Sequence, residues 1–107
     1  MKILLDECID ERLRLSFEEH DYQSARFAKL AGLKNGQLLA AAETAGFAVL
    51  LTVDQNMPSQ QNLRNRRLSV IVLSASTNRL RDLWPLVPAV KAALASIRPG
   101  EVVTVDM

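Results

Sequence analysis

Three carboxylates stand where a short apolar run gives way to polar sequence. Asp6 and Glu7 follow Lys2-Ile3-Leu4-Leu5, and Asp54 follows Ala48-Val49-Leu50-Leu51-Thr52-Val53. Short, continuous, β-rich apolar runs read as buried parallel strands. In open α/β sheets the ligand site lies at the carboxyl ends of such strands. If these two strands are neighbours in one parallel sheet, Asp6, Glu7 and Asp54 meet at one edge. Clustered carboxylates repel unless something positive sits among them, and their hard oxygens suit Mg²⁺ or Mn²⁺. The same acids also have a plainer use, since an acid at a strand end often caps the next helix or turn.

The elements that must position these acids alternate along the chain. After the first strand, Asp10 to Glu19 reads as a helix with Ile9, Leu13 and Phe17 on one stripe. His20-Asp21 ends it, and Tyr22 to Ala25 forms a short second strand. Phe27 to Leu33 reads as a brief helix closed by Gly32, and Asn35-Gly36 is a turn signal. Asn35 is placed to cap a helix from Gln37 to Ala45 that stops at Gly46. Phe47 to Val53 is the third strand, Asp54 to Leu63 a polar loop, and Leu68 to Leu73 the fourth strand. Asn78 opens a last helical stretch to about Ile97, which Pro85 and Pro88 split into a short turn and a restarted helix. Pro99-Gly100 turns the chain into a closing strand, Glu101 to Val105. Such alternation predicts an α/β three-layer sandwich with a mostly parallel sheet of four or five strands.

At 107 residues the chain is expected to be one domain. Its 49% hydrophobic and 23% charged residues are ordinary for a globular protein. Cys8 is the sole cysteine, which leaves no disulfide framework or cysteine zinc site and fits a reducing cytoplasm. The apolar start is too short for a signal peptide, and no run has the length of a membrane span. The net charge is only +1, but Arg64, Arg66 and Arg67 cluster, as do Arg79 and Arg81. Such clusters are either phosphate contacts or a solvated arginine face.

Met1 to Glu7, Asn35-Gly36-Gln37-Leu38-Leu39, Leu50 to Asn56 and Gln60-Gln61-Asn62-Leu63 together resemble the small PIN-like domains. Asn78 to Leu86 and Arg98 to Val103 extend the likeness over nearly the whole chain. That family is similar to the VapC-type toxin ribonucleases, often encoded beside a small antitoxin. The resemblance implies a PIN-like fold and a Mg²⁺- or Mn²⁺-dependent ribonuclease, or a domain derived from one, in a toxin–antitoxin pair. Its partners would be RNA, a small antitoxin-like protein and a second copy in a homodimer. Asp6, Glu7 and Asp54 would be the catalytic acids and metal ligands, with Asn56 and Gln37 completing the shell as neutral oxygens. Asn56 stands where the family's second acid would be, and Gln37 near another, so the metal would be held weakly. Gln61, Asn62, Arg64, Arg66 and Arg67 would bind RNA. Without the metal, the same fold is a non-catalytic partner- or RNA-binding module.

Asp54-Gln55-Asn56-Met57-Pro58 also resembles the phosphoacceptor segment of receiver domains. Asp6-Glu7 would be the acid pair there, Ser74 the hydroxyl after the fourth strand and Asp54 the phosphate acceptor. The likeness stops at the last strand, which ends Val105-Asp106-Met107 without the lysine a receiver needs.

Other chemistry is thin. Acids beside Cys8 raise its pKa and make it a poor nucleophile. His20 reads as a helix cap, Trp84 as core or interface packing, and the serines have no adjacent histidine to activate them.

Overall fold

The apolar runs pair as an all-parallel sheet. The computed structural model describes residues 1–10, 12–13, 21–56 and 66–106. These form β1 (Lys2–Leu5), β2 (Asp21–Ser24), α1 (Asn35–Thr44), β3 (Val49–Thr52) and β4 (Ser69–Leu73). Next come α2 (Leu80–Leu83), a 3₁₀ turn (Trp84–Leu86), α3 (Val87–Ser96) and β5 (Val102–Val105). The sheet order is β2-β1-β3-β4-β5. Ile3, Leu4 and Leu5 lie opposite Val49, Leu50 and Leu51, which lie opposite Ser69, Val70 and Ile71.

Continuous apolar strands are explained by burial on both faces. Ile3, Leu5, Val49, Leu51, Ile71 and Leu73 point to one side, against Leu83, Leu86, Val90 and Leu94. Leu4, Leu50, Val70 and Val72 point to the other, against Leu38, Leu39, Ala42 and Phe47. The fold is thus an α/β sandwich with helices on both sides of a parallel sheet. Among the described residues no helix is long and apolar enough to cross a membrane.

Several local details differ from the sequence expectation. Residues 27–33 are bonded turns rather than a helix. Lys29 has φ +63° and Gly32 φ +85°, both outside the right-handed helical region. Seven residues nucleate a helix poorly, and here Leu30 N–H donates to Ala25 O at 2.7 Å to close a turn instead. Lys34, not Asn35, takes the N-cap position of α1. Arg79 rather than Asn78 precedes α2, because the Asn78 amide donates to Cys8 O at 3.1 Å. Trp84 is no core residue, being 57% exposed. The helix expected after Asp10 lies largely outside the described residues. The two prolines act as expected: α2 ends before Pro85, and Pro88 sits in the first turn of α3.

Leu50 lies in the centre of the sheet and is fully buried. Leu50→Ala is expected to lower unfolding free energy by about 2–5 kcal/mol, read from a urea melt, because a central cavity cannot collapse between two packed layers. A loss below about 1 kcal/mol would show that this face of the sheet is not packed.

Candidate functional site at the carboxyl edge

Parallel strands put all their carboxyl ends on one edge. There, β2 ends at Ser24, β1 runs into Asp6 and Glu7, β3 into Asp54, β4 into Ser74 and β5 into Asp106. The chain leaves β1 toward β2 on one side, then returns past it to β3 on the other. The order therefore reverses between β1 and β3, the position where open α/β sheets leave a crevice for ligands. Asp6 and Asp54 close those two strands.

Thr52 joins them. Its fully buried hydroxyl donates to Asp6 Oδ2 at 2.7 Å and accepts the Asp54 backbone N–H at 3.1 Å. Asp6 is only 8% exposed, and a polar group so buried requires hydrogen-bond partners. Its Oδ1 accepts the Glu7 N–H at 2.8 Å, and its own N–H donates to Leu51 O at 2.9 Å. Asp54 Oδ1 accepts the Asn56 N–H at 2.9 Å and so shapes its own turn. Sequence reasoning missed Thr52. The available signal was a hydroxyl inside an apolar strand, since a buried polar group requires a partner.

The other candidates divide. Glu7 reaches toward β2, where its Oε2 accepts the Gly32 N–H at 3.2 Å. Gln37 bonds at the start of its own helix, with Oε1 accepting the Lys34 N–H at 3.4 Å. It lines a shallow groove with Ala40, Ala41 and Thr44. Arg66 and Arg67 lie at the opposite edge, before β4, each facing Glu43 at 3.7 and 3.8 Å. A five-residue strand separates them from the acids, about 15 Å at the usual rise. They therefore do not serve a phosphate held between Asp6 and Asp54. Gln61, Asn62 and Arg64 lie outside the described residues. Cations do stand on the acidic edge itself: Arg26 in the loop after β2, and Arg79 and Arg81 after β4, all exposed. Arg26 shares a cleft with Glu7, Ile9, Ser24 and Ala31. Arg81 shares another with Ser74, Ser76, Asp82 and Asp106.

No protein-family model, curated protein or solved structure matches this chain.

Mg²⁺ is commonly held by one or two carboxylates, with waters and substrate phosphates completing its shell. Asp6 and Asp54 are the strand-end carboxylates that could supply that donor set, and each Asp6 oxygen accepts one hydrogen bond, from the Glu7 N–H and the Thr52 hydroxyl, which leaves it a further lone pair. Among the described residues no three His, Cys, Asp or Glu side chains converge into a metal-binding group. The donor set is therefore a sparse one. Cys8, next to these acids, is half-buried. Burial is the main force pushing its thiol pKa up, the Asp6 charge adds to it, and hydrogen bonding with the Val53 backbone and the Thr52 side chain acts in the other direction.

Two measurements check this arrangement. Thr52→Val leaves Asp6 Oδ2 without its donor and is expected to cost about 1–3 kcal/mol. The loss should shrink in an Asp6→Asn background, giving a coupling of about 0.5 kcal/mol or more in a double-mutant cycle. Strict additivity would show that the bond does not hold the edge together. Second, Cys8 is half-buried and its pKa is raised, so iodoacetamide should modify it more slowly in the folded protein than in urea. Asp6→Asn should speed the folded reaction. The sign for stability follows: the folded state favours the neutral thiol, so this contribution is fully present below the ordinary thiol pKa and is lost as pH rises from there through the raised folded-state value.

Proposed function

We propose that this chain is a PIN-like, Mg²⁺- or Mn²⁺-dependent ribonuclease, or a domain derived from one, acting in the cytoplasm as the toxin of a toxin–antitoxin pair. The observation that supports it is the junction at the sheet's switch point, where Asp6 and Asp54 end adjacent strands and Thr52 bonds to both. A divalent cation bound there would neutralise phosphate charge and activate water for attack on an RNA phosphodiester. Asp6 and Asp54 supply the negative oxygens. Thr52 fixes the Asp6 carboxylate through its hydroxyl proton and the start of the Asp54 turn through the Asp54 backbone N–H, so the strand ends that carry the two acids are held before a ligand arrives. Arg26 on one flank, and Arg79 and Arg81 on the other, draw an RNA backbone to this edge.

A non-catalytic RNA- or partner-binding module is the second reading. It is favoured by the carboxylates' existing bonds, since Glu7 serves Gly32 and Asp54 serves Asn56. The receiver-like reading also draws on the strand order, which flavodoxin-like folds share. Against it, β5 runs into Asp106, an acid where a lysine is needed to hold phosphoryl oxygens.

One paired assay separates the three. The expected outcome is slow cleavage of single-stranded RNA in Mn²⁺, abolished by chelator and reduced at least tenfold by Asp6→Asn. Mass spectrometry after acetyl phosphate treatment with Mg²⁺ is expected to show no phosphoryl group on Asp54. A stable phosphoaspartate would overturn the nuclease in favour of the receiver. Silence in both assays would leave the non-catalytic module.

A further inference from the structure

The loop between β2 and α1 carries features that its packing does not use. Residues 25–34 read Ala-Arg-Phe-Ala-Lys-Leu-Ala-Gly-Leu-Lys, with three cations and no acid. Arg26, Lys29 and Lys34 are exposed, and among the described residues none of them forms an ion pair. Phe27 stands among them 74% exposed, the most exposed of the large hydrophobic side chains among the described residues. Folding gains little from an aromatic ring left in water, so this ring is available for another surface.

The loop that presents it is tied down at several points. Ala25 N–H donates to Leu5 O at 2.8 Å, which docks the loop's start on the end of β1. Ser24 holds the next turn twice, its Oγ accepting the Phe27 N–H at 3.1 Å and its carbonyl accepting the Ala28 N–H at 3.0 Å. Lys29 takes the left-handed conformation that only a bonded turn stabilises in a non-glycine residue. Gly32 is tied to Glu7. Ala25 is buried, and Ala28, Leu30 and Leu33 pack on the sheet below. The inner side of the loop is therefore anchored, while its outer side offers one aromatic face and three cations. It leaves β2, the strand beside the one that Asp6 closes.

An aromatic ring in a basic, acid-free loop matches a single-stranded polynucleotide, whose bases stack on the ring while its phosphates meet the cations. A protein interface is built around apolar neighbours, but Ala28, Leu30 and Leu33 of this loop pack on the sheet, which leaves Arg26, Lys29 and Lys34 as its other exposed long side chains. The geometry points to Phe27 as a base-stacking platform that positions single-stranded RNA on the carboxyl edge, with Arg26, Lys29 and Lys34 holding the phosphates on either side. This inference rests on the RNA reading above and adds to it a positioning residue and a strand preference.

The test is fluorescence anisotropy with a labelled single-stranded oligonucleotide in chelator, so that cleavage does not intervene. Phe27→Ala should weaken binding roughly 5- to 100-fold, the range for losing one stacked base. Phe27→Trp should bind at least as well as the parent, and its added indole fluorescence should change on titration with RNA. Phe27→Leu, equally apolar but unable to stack, should behave like Phe27→Ala. Replacing Lys29 by Ala should lower the slope of log affinity against log salt by about 0.7. Duplex RNA of the same sequence should bind more weakly than the single strand. Equal RNA affinity for the parent, Phe27→Ala and Phe27→Leu would overturn the stacking role while leaving the nuclease reading intact if Asp6-dependent cleavage persists. A parent that binds no RNA would overturn the stacking role, and the cleavage assay would then decide the nuclease reading separately. Loss of a dimer in Phe27→Ala by sedimentation, with RNA affinity unchanged, would assign the ring to a protein interface instead.

Discussion

Every functional feature of this molecule depends on five strands running in the same direction. In a parallel sheet each residue that follows a strand emerges on one edge, and each residue that precedes a strand emerges on the other. The direction is enforced by burial on both faces. Strands such as Leu4-Leu5 and Leu50-Leu51 alternate between two apolar layers, one roofed by α1 and the other by α2 and α3. Parallel neighbours need a long crossover between them, and those crossovers supply the two roofs. Once the hydrophobic pattern is satisfied, Asp6, Asp54, Ser74 and Asp106 have no choice of edge.

Within that edge a single hydroxyl sets the fine structure. Asp6 is nearly buried, and its oxygens need hydrogen-bond donors there. Thr52 provides one from the neighbouring strand and the Glu7 backbone provides another. Because Thr52 also accepts from the Asp54 backbone, the two acidic strand ends are held in fixed relation by one side chain. The gap between β1 and β3 thus contains a polar junction at the end of an otherwise apolar layer.

Charge is sorted by the two edges rather than by position in the sequence. Arg66 and Arg67 face Glu43, and Lys2 lies over the Phe47 ring at 4.4 Å while bonding Ala45 O. These interactions seal the amino edge. On the carboxyl edge the exposed Arg26, Lys29, Arg79 and Arg81 flank the acids instead.

The sequence by itself determined the layers and the strand ends. Apolar runs of strand length, separated by helical or glycine-marked segments, point to an α/β parallel sheet because helical crossovers cover both of its faces and bury each run on both sides. Asp6 and Asp54 could be picked out as strand-ending acids on the same grounds. Their partnership was not legible, because strand order decides it. Nothing in Lys2 to Leu5 says that β3 rather than β4 lies alongside, and only that pairing puts Thr52 beside Asp6. Side assignment failed for the same reason. Arg66 and Arg67 sit near Asp54 in sequence, yet a strand's length parts them in space. Arg26 and Phe27 sit far from Asp54 in sequence, yet share its edge. Local pattern is set by which faces must avoid water, and residues a few positions apart report it well. A site is set by which strand ends become neighbours, and that depends on the packing of the whole chain.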